Sequence, residues 1–293
     1  MNDFITLLPT LLIGALALIM FGLGLSLTVA DFRRLLGHPK PVVLALVLQA
    51  LVLPAICYGL IVALDVAPVY AVGLMLLAAS PGGVSANLYS HLFGGNVAMN
   101  ISLTAINTVL SIVSLPLIGN FAINTFARTG QVVPMQTGKV IEVIAIVLVP
   151  VLIGMFVKSR APAFAARSEK PMKRFSMVVL AALALIAIAK EWTALTASFA
   201  SIGLAVIAFN ALSLGLGYYV PRIMGLDKPN AIAIGYEIGI HNSTLAIFVA
   251  VSVLGDFQLM VPAAIYSVSM YVLATAFGFL VLGRQPAAAA ARA

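Results

Sequence analysis

Charge is what this sequence has least of. Only 9% of its 293 residues are Asp, Glu, Lys or Arg and 62% are hydrophobic, whereas soluble domains carry roughly 25% charged and 45–50% apolar residues. A chain so poor in charge cannot cover a water-facing surface, and a mean hydropathy of +1.14 marks it as an integral membrane protein. Cysteine is nearly absent as well. The single Cys57 falls in an apolar run, which excludes a disulfide framework and a thiolate metal site and reads as packing. There are nine acids and three histidines. Glu237 is the only acid expected at mid-membrane, and His38 and His91 fall near an interface. Paired aspartates, a His-Glu metal motif and a Ser/His arrangement are therefore lacking, which argues against an intramembrane enzyme. The net charge of +7 does not point to nucleic acid, because the basic residues sit in loops between apolar runs, where membrane orientation accounts for them.

What the chain does have is long apolar runs. At about 20–25 residues per crossing, they predict an all-α protein of about nine transmembrane helices in a single transporter domain over residues 1–293. The expected spans are 5–27, 41–64, 67–93, 96–123, 138–157, 175–189, 197–221, 229–251 and 258–282. The first run is longer than the roughly 7–15 apolar residues of a signal-peptide core, so it is expected to stay in the mature protein. Arg33, Arg34, Lys40, the basic cluster in 158–174, Arg222, Lys228, Arg284 and Arg292 fall on one side, and only Arg128, Lys139 and Lys190 on the other. The positive-inside rule then places the N-terminus outside and the C-terminus in the cytoplasm, for a chain in the plasma (inner) membrane.

Two spans carry polar interruptions. Residues 235–246 read Gly-Tyr-Glu-Ile-Gly-Ile-His-Asn-Ser-Thr-Leu-Ala. An ionised carboxylate at the bilayer centre costs on the order of 2.5–3.5 kcal/mol on insertion scales, so Glu237 should face a cavity or a cation. The alternative is a protonated acid bonded to a neighbouring helix. Gly235, Gly239 and the Asn-Ser-Thr run are how a helix that stops and restarts is written. The third span breaks at Ser80-Pro81-Gly82-Gly83 in the same way. A mid-membrane proline frees backbone groups that only protein or a polar cavity can satisfy again.

The fourth span places Asn96, Asn100, Thr104, Asn107, Thr108 and Ser111 at the spacing of one helical face, turned toward a neighbour. The second span holds Gln49, an unusual amide at depth. When spans 1–4 are set against 6–9, the two breaks fall in matching positions. The pattern predicts an inverted repeat whose two discontinuous helices, spans three and eight, cross at the midplane. Half-helix N-termini at such a crossing suit an anion and freed carbonyls suit a cation, which is what a co-transporter needs.

The pairing of Ser-Pro-Gly-Gly-Val-Ser-Ala-Asn (80–87) and Gly-Asn-Val-Ala-Met-Asn (95–100) with Glu-Ile-Gly-Ile-His-Asn-Ser (237–243) resembles the bile acid:sodium symporter family. The likeness runs over nearly the whole chain and is to a bacterial member of the nine-helix form. It implies a core domain holding the crossed helices, a panel domain, and sodium-driven uptake of an organic anion. It also implies a first sodium site on Asn87, Asn100, Thr104 and Glu237, with Ala86 where a serine is common. The implied second site is Gln49, Glu237, the carbonyls of Ile238 and Ile240, and His241 where glutamine is expected. Sodium is a hard cation that takes oxygen ligands, and imidazole offers only nitrogen. One sodium with a proton on His241 would balance the charge as two sodium ions would. In the other arrangement a neutral His241 turns to a backbone carbonyl and leaves the second sodium to Gln49, Glu237 and carbonyls.

The resemblance places the anion against Val84, Ser85, Asn242, Ser243 and Thr244, with Met270 and Tyr271 where bile-acid-binding relatives carry a His-Asn pair. That difference favours a small carboxylate such as pantoate or a 2-oxoacid over a steroid anion. A bile-acid-type symporter and a gradient-independent anion channel are the alternatives. A channel would need a continuous polar lining, and the polar residues here cluster at one depth.

Overall fold

The computed structural model of the chain describes residues 2–127, 135, 137–168, 171, 175, 178 and 192–282. The expected sixth span, 175–189, lies almost wholly outside the described residues. Among those residues every element is helical, apart from one isolated antiparallel bridge between Gly82 and His241. Among the described residues five helices are long and apolar enough to cross a bilayer: Pro39–Ala63, Val97–Phe126, Gly138–Arg160, Ile202–Ile223 and Gln258–Leu282. Their outward side chains are apolar, with Leu51, Val113, Leu117 and Phe156 all more than half exposed, as a lipid-facing surface requires.

Helix α1 (Asn2–Ser26) is followed by the short α2 (Val29–Leu36), and the two axes differ by 66°. Thr28 sets the bend, because its backbone N–H and hydroxyl both donate to the Asp31 carboxylate at 2.7 Å and start α2 afresh. The next span joins α3 (Pro39–Val47) to α4 (Leu53–Ala63) through a wide turn at Leu48–Val52, where the Leu53 N–H reaches back five residues to Leu48. Pro54 has no N–H for the Ala50 carbonyl, and its ring crowds that carbonyl, so the helix widens just upstream. Gln49 sits in that turn and is buried.

The third span is two helices, α5 (Pro68–Ala79) and α6 (Ser85–Leu92), separated by residues 80–84. Then come α7 (Val97–Phe126), α8 (Thr137–Arg160) and α9 (Trp192–Ile223). The eighth span is again two pieces, α10 (Lys228–Gly239) and α11 (Ser243–Phe248), the latter continued by a wide turn at Val249–Val253. The last is α12 (Val261–Phe277).

One expectation for α7 is corrected. Asn96 does not belong to its polar face; it stands before the helix as a cap, accepting from the Met99 N–H at 3.0 Å and donating to Asn230 at 2.9 Å. An asparagine just ahead of a helix satisfies a free N–H, which the periodicity alone does not distinguish from a face residue.

Glycine sets several close approaches. The α1 and α8 backbones touch at Gly24 and Gly154, where a Cβ on either would overlap the partner's backbone, at Val151 and at Phe21 respectively. Small residues are how helices approach in lipid, where packing replaces the hydrophobic drive. These two helices form one pair beside the broken helices. Gly73 comes as close to the Leu259 carbonyl, Gly217 lies against the Gly235 backbone, and Gly82 makes the close approach at the crossing itself.

Candidate functional site at the helix crossing

Helix α5 ends because Pro81 pushes the residue before it out of the helical region. Ser80 is extended, at φ −73° and ψ 147°. Gly82 and Gly83 then let the chain run against the second break. The Gly83 N–H donates to the Ile240 carbonyl at 2.6 Å and the Asn242 N–H donates to the Pro81 carbonyl at 2.8 Å. The two breaks thus satisfy each other antiparallel, as an inverted repeat places them. Asn242 also caps α11, its side chain accepting from the Leu245 N–H at 3.1 Å.

Glu237 lies in the last turn of α10 and is fully buried. Thr104 donates to its Oε2 at 2.5 Å and Asn107 donates to its Oε1 at 3.0 Å, both from α7. Taken alone, these bonds are also what polar glue between helices would show. The amides around them add something glue does not explain. Asn100 spends its NH2 on the Ala233 carbonyl at 2.7 Å, and Gln49 spends its own on the carbonyls of Ser80 at 2.9 Å and Ala78 at 3.3 Å. Their carbonyl oxygens, with those of Asn87 and Asn107, are buried without a hydrogen-bond partner. A buried unsatisfied acceptor costs about 1–3 kcal/mol. Of these amides Asn107 bonds the Glu237 carboxylate directly, and oxygen acceptors left without donors are groups a hard cation can use. Ala86, also buried, adds no hydroxyl.

His241 bonds a backbone carbonyl. Its Nδ1 lies 3.1 Å from the Ser80 oxygen, which can only accept, so Nδ1 carries the hydrogen. Its Nε2 is buried without a partner, and its ring stacks on Phe209 with centroids 5.5 Å apart. The Ile240 carbonyl already receives the Gly83 N–H, while the Asn242 N–H that would close the helix on the Ile238 carbonyl goes to Pro81 instead.

Two residues outside the expected set belong to the crossing. Asn210 on α9 donates to the Gly239 carbonyl at 2.8 Å and contacts the Tyr266 hydroxyl at 2.7 Å, and that hydroxyl donates to the same carbonyl at 2.9 Å. Gly239 ends α10, so its carbonyl needs partners from outside the helix. The signal for Asn210 was available in the repeat. Gln49 in the second span holds carbonyls where the first break begins, and Asn210 in the seventh holds one where the second begins. Asn107 stood on the polar face of the fourth span, but only the structure ties it to Glu237.

Beside the crossing lies a cavity of about 490 Å³. Val84, Ser85, Asn242, Ser243, Thr244, Met270 and Tyr271 all line it, with His241 and Asn87, and Ile19 and Ser26 of α1 and Lys158 of α8 line it as well. The Tyr271 hydroxyl meets the Ser85 hydroxyl at 3.2 Å.

A helical membrane protein whose two discontinuous helices meet antiparallel at a buried carboxylate, next to a cavity, has the architecture of a secondary transporter. More narrowly, the chain belongs to a family described as the Sodium Bile acid symporter family, whose sequence pattern matches residues 13–217. It is 30% identical over 254 residues to the Bacillus subtilis protein named uncharacterized sodium-dependent transporter YocS, covering 86% of this chain and 77% of that one. It is 29% identical over 266 residues to the Arabidopsis thaliana protein named probable sodium/metabolite cotransporter BASS1, chloroplastic, covering 90% of this chain and 65% of that one. It is 26% identical over 246 residues to the human ileal sodium/bile acid cotransporter, covering 83% and 70%. These relatives are named as transporters and not as enzymes.

Proposed function

We propose that the chain is a sodium-coupled symporter of a small organic anion, working by alternating access in the plasma membrane with its N-terminus outside. The observation that carries this reading is the fully buried Glu237 bonded to Asn107, whose own amide oxygen, like those of Gln49, Asn87 and Asn100, is left without a partner. The first sodium ion takes Asn87, Asn100, Thr104 and Glu237, with Asn107 beside them. Single Ala substitutions of Asn87, Asn100 or Thr104 are expected to raise the half-saturating sodium concentration by about 3- to 30-fold, each removing one oxygen ligand. Uptake measured across a sodium series checks this. An equal loss at every sodium concentration would mean that these side chains only hold helices together.

The second site, on Gln49, Glu237, Ile238, Ile240 and His241, is weakened in this chain. The imidazole has turned to the Ser80 carbonyl and the Ile240 carbonyl is already bonded. The wild-type protein is therefore expected to show a sodium Hill coefficient near one. His241→Gln supplies an oxygen ligand and should raise it toward two. An unchanged coefficient would remove His241 from coupling.

The anion lies in the cavity against Val84, Ser85, Asn242, Ser243, Thr244, Met270 and Tyr271. Polar groups at one end of apolar walls suit a compact carboxylate such as pantoate or a 2-oxoacid. The cavity volume favours a second reading, a steroid-sized anion, since about 490 Å³ exceeds what a compact carboxylate fills. Tracer uptake of labelled pantoate, pyruvate and cholate by proteoliposomes separates the two. Saturable sodium-dependent uptake of a small acid is expected, and uptake of cholate alone would overturn the small-anion reading. Ser26 and Lys158, at the basic-side ends of α1 and α8, also line the cavity, so we read this state as inward-facing.

A further inference from the structure

We propose that Lys158 binds the carboxylate of the transported anion from the α1 and α8 side of the cavity. This rests on the reading that the cavity carries the substrate. The two walls differ in kind. On the crossing side the polar groups are amides and hydroxyls, among them Ser85, Asn242, Ser243 and Thr244, with the imidazole of His241. Glu237 is not part of the lining. On the α1 and α8 side stands Lys158, the one Lys or Arg among the lining residues. Its ammonium donates to the Ser26 carbonyl at 2.6 Å, at the last residue of α1, which pins the side chain half-buried in the cavity wall. An ammonium has three N–H groups, and Ser26 takes one.

Capping the C-terminus of α1 explains that one bond. It supplies no counter-charge, and no acid among the described residues pairs with the lysine. Among the described residues the ion pairs are Arg34 with Asp31 and Lys139 with Glu142, and neither involves Lys158. A cation held at an apolar cavity without a counter-ion attracts an anion more strongly than one in open water. A carboxylate seated there takes the two remaining N–H groups, while its polar substituents reach the hydroxyls and amides of the crossing.

The consequence concerns transport as well as affinity. Lys158 belongs to the α1 and α8 pair, while Asn242, Ser243 and Thr244 belong to the broken helix. A bound anion therefore touches both bodies, and the loaded transporter gains a contact between them that neither the empty nor the sodium-only form has. Lys158 sets both charge specificity and the requirement for substrate in closure.

The test uses the full chain in proteoliposomes, with sodium-driven uptake of labelled pantoate and of labelled cholate as the two probes. Lys158→Gln should raise the KM of the transported probe by about tenfold or more and leave the half-saturating sodium concentration unchanged. Lys158→Arg should bring KM back to within about threefold of wild type, since it keeps the charge. Thermal melting in detergent reads the capping role separately. Lower melting of Lys158→Gln with an unchanged KM means that Lys158 only caps α1, and the proposal fails. Equal KM in Lys158→Gln and Lys158→Arg, both displaced from wild type, also overturns it, because charge then does not matter. Wild-type uptake of neither probe overturns the reading of the cavity and the Lys158 assignment with it.

Discussion

Glu237→Gln is expected to abolish sodium-coupled uptake while leaving the protein folded. Glutamine has the shape of glutamate. Its carbonyl oxygen can accept from Asn107 and its NH2 can donate to the Thr104 hydroxyl, so both bonds from α7 survive in form. What disappears is the only acid at the crossing among the described residues, the one group whose charge balances a desolvated cation. Removing one partner of a buried ion pair costs about 3–5 kcal/mol, which is roughly a 100-fold or greater loss of sodium affinity. Uptake should fall to background at any practical sodium concentration, with thermal melting close to wild type. Coupled uptake near wild type in this variant would sink the assignment of Glu237 as the cation's counter-charge. A collapse of melting together with uptake would show that the carboxylate serves mainly as glue between α7 and α10.

Gly82→Ala should damage both folding and transport. A Cβ at this position would overlap the Glu237 carboxylate and lie 2.6 Å from the Glu237 carbonyl oxygen. The carboxylate cannot step aside without breaking its bonds to Thr104 and Asn107, and the backbone is pinned by the two bridge bonds. Overpacking usually costs about 1–3 kcal/mol, and with no soft neighbour to move, this position falls at or above the upper end. At Gly83 a Cβ would lie 3.2 Å from the His241 carbonyl oxygen, a distance that a shift of a few tenths of an ångström relieves. The expected order is a large loss of melting temperature and of uptake for Gly82→Ala and a small one for Gly83→Ala. Equal behaviour of the two would mean that the breaks are not in tight contact.

How much of this was legible beforehand follows from what each signal depends on. Helix breaks are local, so Ser80-Pro81-Gly82-Gly83 and the glycines around Glu237 announced themselves, and the proline dictated the extended Ser80. The polar face of the fourth span was visible from spacing, but its ends were not. Asn96 looks periodic yet caps the helix, because capping depends on where the chain enters rather than on period. The bridge between Gly82 and His241 joins residues far apart in sequence, and only packing brings them together. Asn210 was overlooked for a related reason. An isolated amide in an apolar span carries no local pattern, and its partner is a carbonyl freed by a break in another helix. An imidazole among oxygen groups stands out in the sequence, but the choice of Nδ1 for the Ser80 carbonyl depends on the rings of Phe209 and Tyr266 packed against it.

The central claim is that sodium moving down its gradient drives an anion up its own through this crossing. The direct measurement is accumulation of labelled pantoate inside proteoliposomes under an inward sodium gradient, with and without an inside-negative potential. The account predicts accumulation above the external concentration only while the sodium gradient lasts. If more than one positive charge enters with each anion, the potential adds roughly 2.3 kcal/mol per net charge for each 100 mV. Uptake that stops at equal concentrations on both sides, whatever the sodium gradient, would contradict the account and leave a passive anion pathway in its place.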